Sequence, residues 1–377
     1  MDRLVDTDLS AARFDPAVAG GVVPERARTV IVGGGIVGLS VAAHLAELGD
    51  DDILVLEQGV VGSGTTWHAA GLVTRLRATP ALTGLARYGV ERYRTLEAET
   101  GVEVSFTGCG SLAVARTSGR LDELRYTAAV ARHAGIEAEL LTPEGVSALW
   151  PLATADGLVG GLHVPGDGYV NPGLAALAFA KLALDRGVAI REGVRVARVL
   201  HANGRVAAVE TSEGTVRCER LVLAAGLWTR DLAATAGVAV PLHAAEHVHV
   251  RTEPMAGADP SLPVLRDLDG HFYIRHEAGR LLVGAFEPEG IPRSVDEIPD
   301  GGFARFPANW PHFAAVRARA EERVPALRHP DHRHRHRAVR VEEVRERLGH
   351  RPVVQSRVHP DRERRAFRHP AKGLRAG

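Results

Sequence analysis

The chain has 377 residues, an apolar fraction of 45%, and 46 basic side chains balanced by 46 acidic ones. That length fits two or three domains with sizeable cores, and the charge balance gives no electrostatic reason to expect nucleic acid or an anionic membrane as the main partner. With only Cys109 and Cys218, far apart in the chain, neither a disulfide framework nor a CxxC metal site is available; no metal is expected, and a reducing, cytoplasmic setting fits.

Residues 1–25 carry scattered charges and no apolar run of the length a secretory signal needs, so they read as a disordered leader. No later stretch approaches the roughly 20 apolar residues of a membrane span. From Thr29, TVIVGGGIVGLSVAAHLAELGDDDILVLEQ alternates an apolar run, a glycine turn, a segment of helical period and a second apolar run, which is a β-α-β unit. Gly33, Gly35 and Gly38 form GxGxxG at the strand-to-helix turn. There, missing side chains permit a tight turn, close approach to a pyrophosphate and close packing of helix on strand. Glu57 ends the second strand, where an acid accepts hydrogen bonds from an adenosine ribose. Together these features predict a dinucleotide site.

The glycine motif alone does not choose between NAD and FAD. After Glu57 the chain runs into GSGTTWHAAGL (residues 62–72), small residues around Trp67 and His68, suited to lying against a flat cofactor. Taken alone, His68 is an ordinary hydrogen-bonding residue of a half-buried loop. Much later, ERLVLAAGLWTRDLA predicts a buried strand over Leu221 to Ala225, a turn at Gly226 and a helix carrying Trp228. Such a turn at the end of a parallel strand is where cofactors bind.

These motifs resemble the dimethylglycine and sarcosine dehydrogenase group of the D-amino-acid-oxidase superfamily of flavoproteins, over roughly residues 29 to 327. The resemblance implies FAD as cofactor, attached covalently through His68 to its 8-methyl carbon, with Gln58, Ser63, Thr65 and Thr66 lining the same site. A neutral imidazole is a competent nucleophile near pH 7, which suits the residue type to that bond. Two further segments extend the likeness. GLHVPGDGYVNP (Gly161 to Pro172) resembles the group's loop returning to the flavin domain, with Asn171 where an aspartate is common. REGVRVARV resembles the strand whose Val196 backbone meets the adenine.

LPVLRDLDGHFYIRHEAGRLLVGAFE (Leu262 to Glu287) resembles the group's substrate-side sheet and has turn signals at Asp269-Gly270 and Ala278-Gly279. The resemblance places His247 and Tyr273 over the flavin as catalytic residues: an imidazole to help deprotonate the amine, a phenol to hydrogen-bond the carboxylate. By itself, the alternation of His247 and His249 with Val248 and Val250 suggests only a solvated strand face. Arg275 has a planar fork suited to a carboxylate, but most of the many arginines must lie on the surface, and it is left out of the catalytic set.

AAVRARAEERVPAL, ending at Leu327, predicts a helix beside the flavin domain. Residues 328–377 contain 14 arginines and 7 histidines, too little apolar surface to offset chain entropy except in a short helix near Val339 to Leu348. Their composition, in a chain with only two lysines, reads as a frameshift near codon 328. The HxHxH run from His332 to His336 reads as adventitious rather than as a defined metal site.

The expected fold is α/β, with a GxGxxG (Rossmann-like) FAD-binding domain from discontinuous segments (26–85 and 155–240). A substrate domain with an antiparallel sheet follows from 86–154 and 241–325. The expected function is FAD-dependent oxidative demethylation of an N-methylated glycine, dimethylglycine or sarcosine, with electrons passing to oxygen or to an electron-transfer flavoprotein. The alternatives are a truncated flavin-fold fragment and a flavin oxidase acting on another amine.

Overall fold

A computed structural model describes residues 21–298, 303, 306–307 and 309–328, and the backbone of 338–342. The chain opens with β1 (Thr29–Val32), α1 (Ile36–Glu47) and β2 (Ile53–Leu56), the β-α-β unit expected from its period. After a 3-10 turn at Thr65–His68 come β3 (Leu72–Val73), α2 (Pro80–Thr100), β4 (Ser111–Ala115), α3 (Ser118–His133), β5 (Glu139–Leu141) and α4 (Pro143–Leu149). Next are β6 (Gly160–Val164), β7 (Gly168–Tyr169), α5 (Pro172–Asp185) and β8 (Ala189–Arg191), followed by the meander β9 (Val196–Ala202), β10 (Arg205–Thr211) and β11 (Gly214–Arg217). The remainder is β12 (Arg220–Leu223), α6 (Thr229–Ala234), β13 (Ala244–Arg251), β14 (Val264–Asp267), β15 (Phe272–Glu277), β16 (Arg280–Ala285), β17 (Pro292–Arg293), α7 (Trp310–Arg323) and β18 (Ala338–Glu342).

The strands β12, β1, β2 and β8 form a parallel sheet in that order. The central strands β1 and β2 are buried along their whole length, as a parallel sheet between covering layers requires. One face packs on α1 and α5 through Leu39, Ala42, Ala43, Phe179 and Leu182; the other packs on the β9–β11 meander through Val199, Val209 and Val216. The sheet is thus assembled from segments far apart in sequence.

The second sheet has nine strands among the described residues and centres on β13, β16, β15, β14, β4 and β6. It is mixed rather than purely antiparallel, since β14 and β4 run parallel. One face buries Val248, Val250, Leu265, Phe272, Ile274, Leu281 and Val283 against Phe313, Val316 and Ala320 of α7. That placement corrects the expectation for this helix: its apolar stripe covers the far side of the second sheet, not the flavin domain. Arg323 ties it down, with Nη1 donating to the Thr154 and Asp156 carbonyls and Nε 3.7 Å from the fully buried Asp267.

The loop after β6 leaves the second sheet, pairs β7 with β3, and enters α5, whose N-cap Asn171 accepts from Leu174 N–H (3.1 Å). Asparagine caps as well as aspartate does, so the departure from the common residue costs nothing here. Residues 338–342 form a strand antiparallel to β13 where a helix was expected; Val339 and Val341 alternate at the period a strand requires. Residues 1–20, 329–337 and 343–377, including the HxHxH run, lie outside the described residues. Cys109 and Cys218 are both free thiols, and no helix of the described residues is long and apolar enough to cross a membrane.

Candidate active site

The glycine turn is built as a cradle. Gly33 has φ of 110°, and a Cβ there would sit 2.3 Å from the Ala224 carbonyl oxygen; at Gly38 it would sit 2.0 Å from the Gly33 carbonyl oxygen. Both obstacles are backbone, so neither position accepts a side chain without displacing a strand or a helix. Gly35 caps α1 without a side chain, and the Ile36 N–H is satisfied by Thr66 Oγ1 at 3.0 Å. The Glu57 carboxylate accepts from Gly34 N–H (2.6 Å) and Gly59 N–H (2.8 Å). Burial pushes its carboxyl up, against the lowering effect of those two donors. Each carboxylate oxygen keeps a second lone pair for a ribose hydroxyl. These residues fit the adenosine diphosphate half of FAD.

Gly226, with φ of 53°, begins a 3-10 turn after β12, and a Cβ on it would lie 3.9 Å from Thr65 Oγ1. Thr65, Thr66 and the second half of the sheet therefore meet at the carboxyl ends of its strands, the expected position for a cofactor. Ser63 is buried and accepts from Val60 N–H (3.2 Å), which holds the loop closed. Val196, at the start of β9, and Trp228 are half-buried, and Gln58 is exposed. Val194 N–H donates to the Glu57 carbonyl, which brings the start of β9 alongside Glu57.

His68 sits on a stapled segment rather than in an open loop. Thr66 and the Gly62 N–H to Gly34 carbonyl bond (2.9 Å) attach it to the glycine turn, while Arg275 Nε donates to the Ala70 carbonyl (2.6 Å) from the second sheet. The imidazole is 6% exposed, and its ring centroid lies 3.9 Å from that of Trp67. The segment thus bridges the nucleotide turn and the face of the second sheet opposite α7.

That face carries His247, His249, Gly284, Tyr273, Arg275 and Arg266, each alternating with a residue buried against α7. His247 and His249 are buried, which overturns the solvated-face expectation for β13. His247 Nδ1 lies 2.7 Å from Glu287 Oε2 and Nε2 lies 3.5 Å from the Tyr273 hydroxyl, the two rings stacking at 6.3 Å. A carboxylate only accepts, so Nδ1 carries a proton and Nε2 is the ring nitrogen turned toward Tyr273. Burial raises the Glu287 carboxyl, but hydrogen bonds from His247 and Val248 N–H outweigh it and leave the group below the ordinary glutamate range. Burial, followed by Arg251, His247, Arg275 and His68, holds the His249 imidazole well below the ordinary histidine value and hence neutral.

Tyr273 is aimed by a glycine. Its Cζ stands 2.0 Å from where a Cβ on Gly284 would lie, so the phenol crosses β16 over a bare backbone. The strand pattern LLVGAF carries that signal, because an isolated glycine within a strand marks close approach. Glu287 had no comparable signal. Arg275, withheld from the catalytic set, is fully engaged: besides Ala70 it donates to the His276 carbonyl (2.8 Å) and Glu277 (2.6 Å), and it stacks 4.9 Å over the Tyr169 ring.

Residues 28–369 match the model of the FAD dependent oxidoreductase (DAO) family, and the chain belongs to that family; FAD is its cofactor. The match continues into the Arg/His-rich tail, beyond residue 327. The chain is 57% identical to 4-methylaminobutanoate oxidase (formaldehyde-forming) of Paenarthrobacter nicotinovorans over 327 residues, which is 87% of this chain and 40% of that protein. It is 35% identical to mitochondrial dimethylglycine dehydrogenase of Rattus norvegicus, over 81% of this chain and 37% of the relative. The chain thus spans well under half the length of both relatives. Among solved structures, L-proline dehydrogenase from P. horikoshii shares the fold, with a TM-score of 0.72 at 24% identity, covering 81% of this chain and 79% of the other.

Proposed function

We propose that this chain performs the flavin-dependent oxidative demethylation of an N-methylated amino acid. Held by the glycine turn, Glu57 and the 62–72 segment, FAD would supply the hydride acceptor for oxidation of the methyl carbon next to nitrogen. The chain's own groups prepare that carbon. His247 Nε2 takes the ammonium proton, freeing the lone pair that becomes the second C–N bond as the hydride departs. Glu287 holds the imidazole in the required tautomer and offsets the charge it gains. The Tyr273 hydroxyl orients the amine at the same nitrogen atom. Water then adds to the C=N bond, giving formaldehyde and the demethylated amine.

The observation that carries this reading is the buried His247, Glu287 and Tyr273 cluster, on the sheet face to which Arg275 and Ala70 tie the His68 segment. The 57% relative supports a 4-methylaminobutanoate-like substrate ahead of dimethylglycine or sarcosine, to which the 35% relative points. We assign His68 as the covalent flavin attachment, and oxygen or an electron-transfer flavoprotein as the acceptor. The test is anaerobic mixing of the flavin-bound protein with 4-methylaminobutanoate, dimethylglycine and sarcosine separately. One formaldehyde per bleached flavin is expected, fastest with the first; bleaching or formaldehyde with none of the three would refute the proposal.

A further inference from the structure

A second buried imidazole stands on β13 beside His247. His249 is 2% exposed, faces the flavin side of the second sheet, and its Nδ1 has no hydrogen-bond partner among the described residues. A polar atom sealed from water is almost always paired, because leaving it unmet costs about as much as a lost hydrogen bond. The ladder beside it offers no partner: Gly284 opposite has no side chain, and Tyr273 in the next strand reaches over that glycine toward His247.

The segment that carries His68 crosses the sheet at this point. β18 pairs with β13, setting Val339 opposite His249, and its backbone runs beside the Thr65–His68 turn. At the other end of the segment, the Ala70 carbonyl accepts from Arg275 of β15 (2.6 Å). Since β13 and β16 lie between β18 and β15, residues 65–70 pass over the strands that carry His249 and Gly284. The lengths agree: three strand spacings are about 14 Å, and one 3-10 turn followed by two extended steps covers about 13 Å. His68 accordingly belongs to the positive field felt by His249, after Arg251, His247 and Arg275.

We propose that His249 is the proton acceptor for attachment of FAD to His68, so that the chain carries the means of forming its own flavin bond. The proposal rests on the covalent assignment of His68 made above. Joining an imidazole nitrogen to the 8-methyl carbon breaks one C–H and one N–H bond and forms one C–N bond. Two protons and two electrons are released; the electrons pass to dioxygen, which leaves with both protons as hydrogen peroxide. Each proton needs an acceptor on the way. The carboxylates of this face are taken, Glu287 by His247 and Val248 N–H, and Glu277 by Arg275 and Arg251. With its own proton on Nε2, His249 presents the Nδ1 lone pair, and the surrounding cations ensure that a proton taken there is handed on rather than kept.

The test uses the full chain purified from riboflavin-starved cells and mixed with FAD in air. Absorbance of the native protein counts bound flavin, and the mass of the denatured chain over time counts attached flavin. At equal bound FAD, His249→Gln should attach it about 100-fold more slowly than the parent, or slower still, the loss expected on removing a general base. Imidazole added to His249→Ala should restore part of the rate, which a packing role would not allow. Attachment in His249→Gln at the parent rate would overturn the acceptor and leave the His68 bond standing. A parent that binds FAD but never gains its mass would overturn the bond and the acceptor together. If His249→Gln binds no FAD, His249→Ala decides, and attachment there that imidazole does not speed would contradict the proposal.

Discussion

His247 Nδ1 and Glu287 Oε2 meet at 2.7 Å, although the two residues lie 40 positions apart on different segments. Glu287 also accepts from Val248 N–H at 2.9 Å, so one carboxylate fixes both the imidazole and the strand that carries it. Its lowered pKa keeps it ionised at neutral pH, and the imidazole is held with Nε2 toward Tyr273.

Glu287→Gln keeps the shape and removes the charge. A fall in kcat of about 10- to 100-fold is expected, with flavin content unchanged, because the base proposed at His247 loses the group that orients it and offsets its charge. Steady-state rates on protein of matched flavin absorbance check this; an undiminished kcat would remove Glu287 from the mechanism.

Gly284→Ala would put a methyl group into the Tyr273 ring. The phenol must then leave its position over β16, which costs about 1–3 kcal/mol of stability and lowers kcat more than it raises KM. Denaturant midpoints and kinetics on the same preparation would show the two effects together.

Neutral, buried His249 makes stability depend on pH. Its folded pKa lies below the unfolded value, so below about pH 6.5 the unfolded chain binds a proton that the folded chain refuses. This contribution is complete above that pH and is lost as pH falls, with a limiting slope of about 1.4 kcal/mol per pH unit. Urea midpoints of the parent and of His249→Gln between about pH 5 and 7.5 should diverge only at the acid end; parallel curves would contradict the assignment.

The opening β-α-β unit was legible because everything that specifies it is local: the period of apolar residues, three glycines and an acid at one end. The SGTTWHAAGL motif pointed to His68, but not to its fastening to both sheets, which depends on Thr66 meeting Ile36 and Arg275 meeting Ala70. His247 and Tyr273 came from resemblance; their partner Glu287 did not, since pairing them requires the β13–β16 register. The apolar stripe of α7 was readable, but which sheet it covers was not: both sheets present Val and Ile to a helix, and only long-range packing decides.

The most direct test of the account is the mass of the purified, flavin-bound protein after denaturation, alongside His68→Ala. Attachment through His68 makes the parent chain heavier than its amino acids by one FAD and leaves a His68→Ala chain at bare polypeptide mass. A parent chain weighing only its amino acids while yellow before denaturation would contradict it.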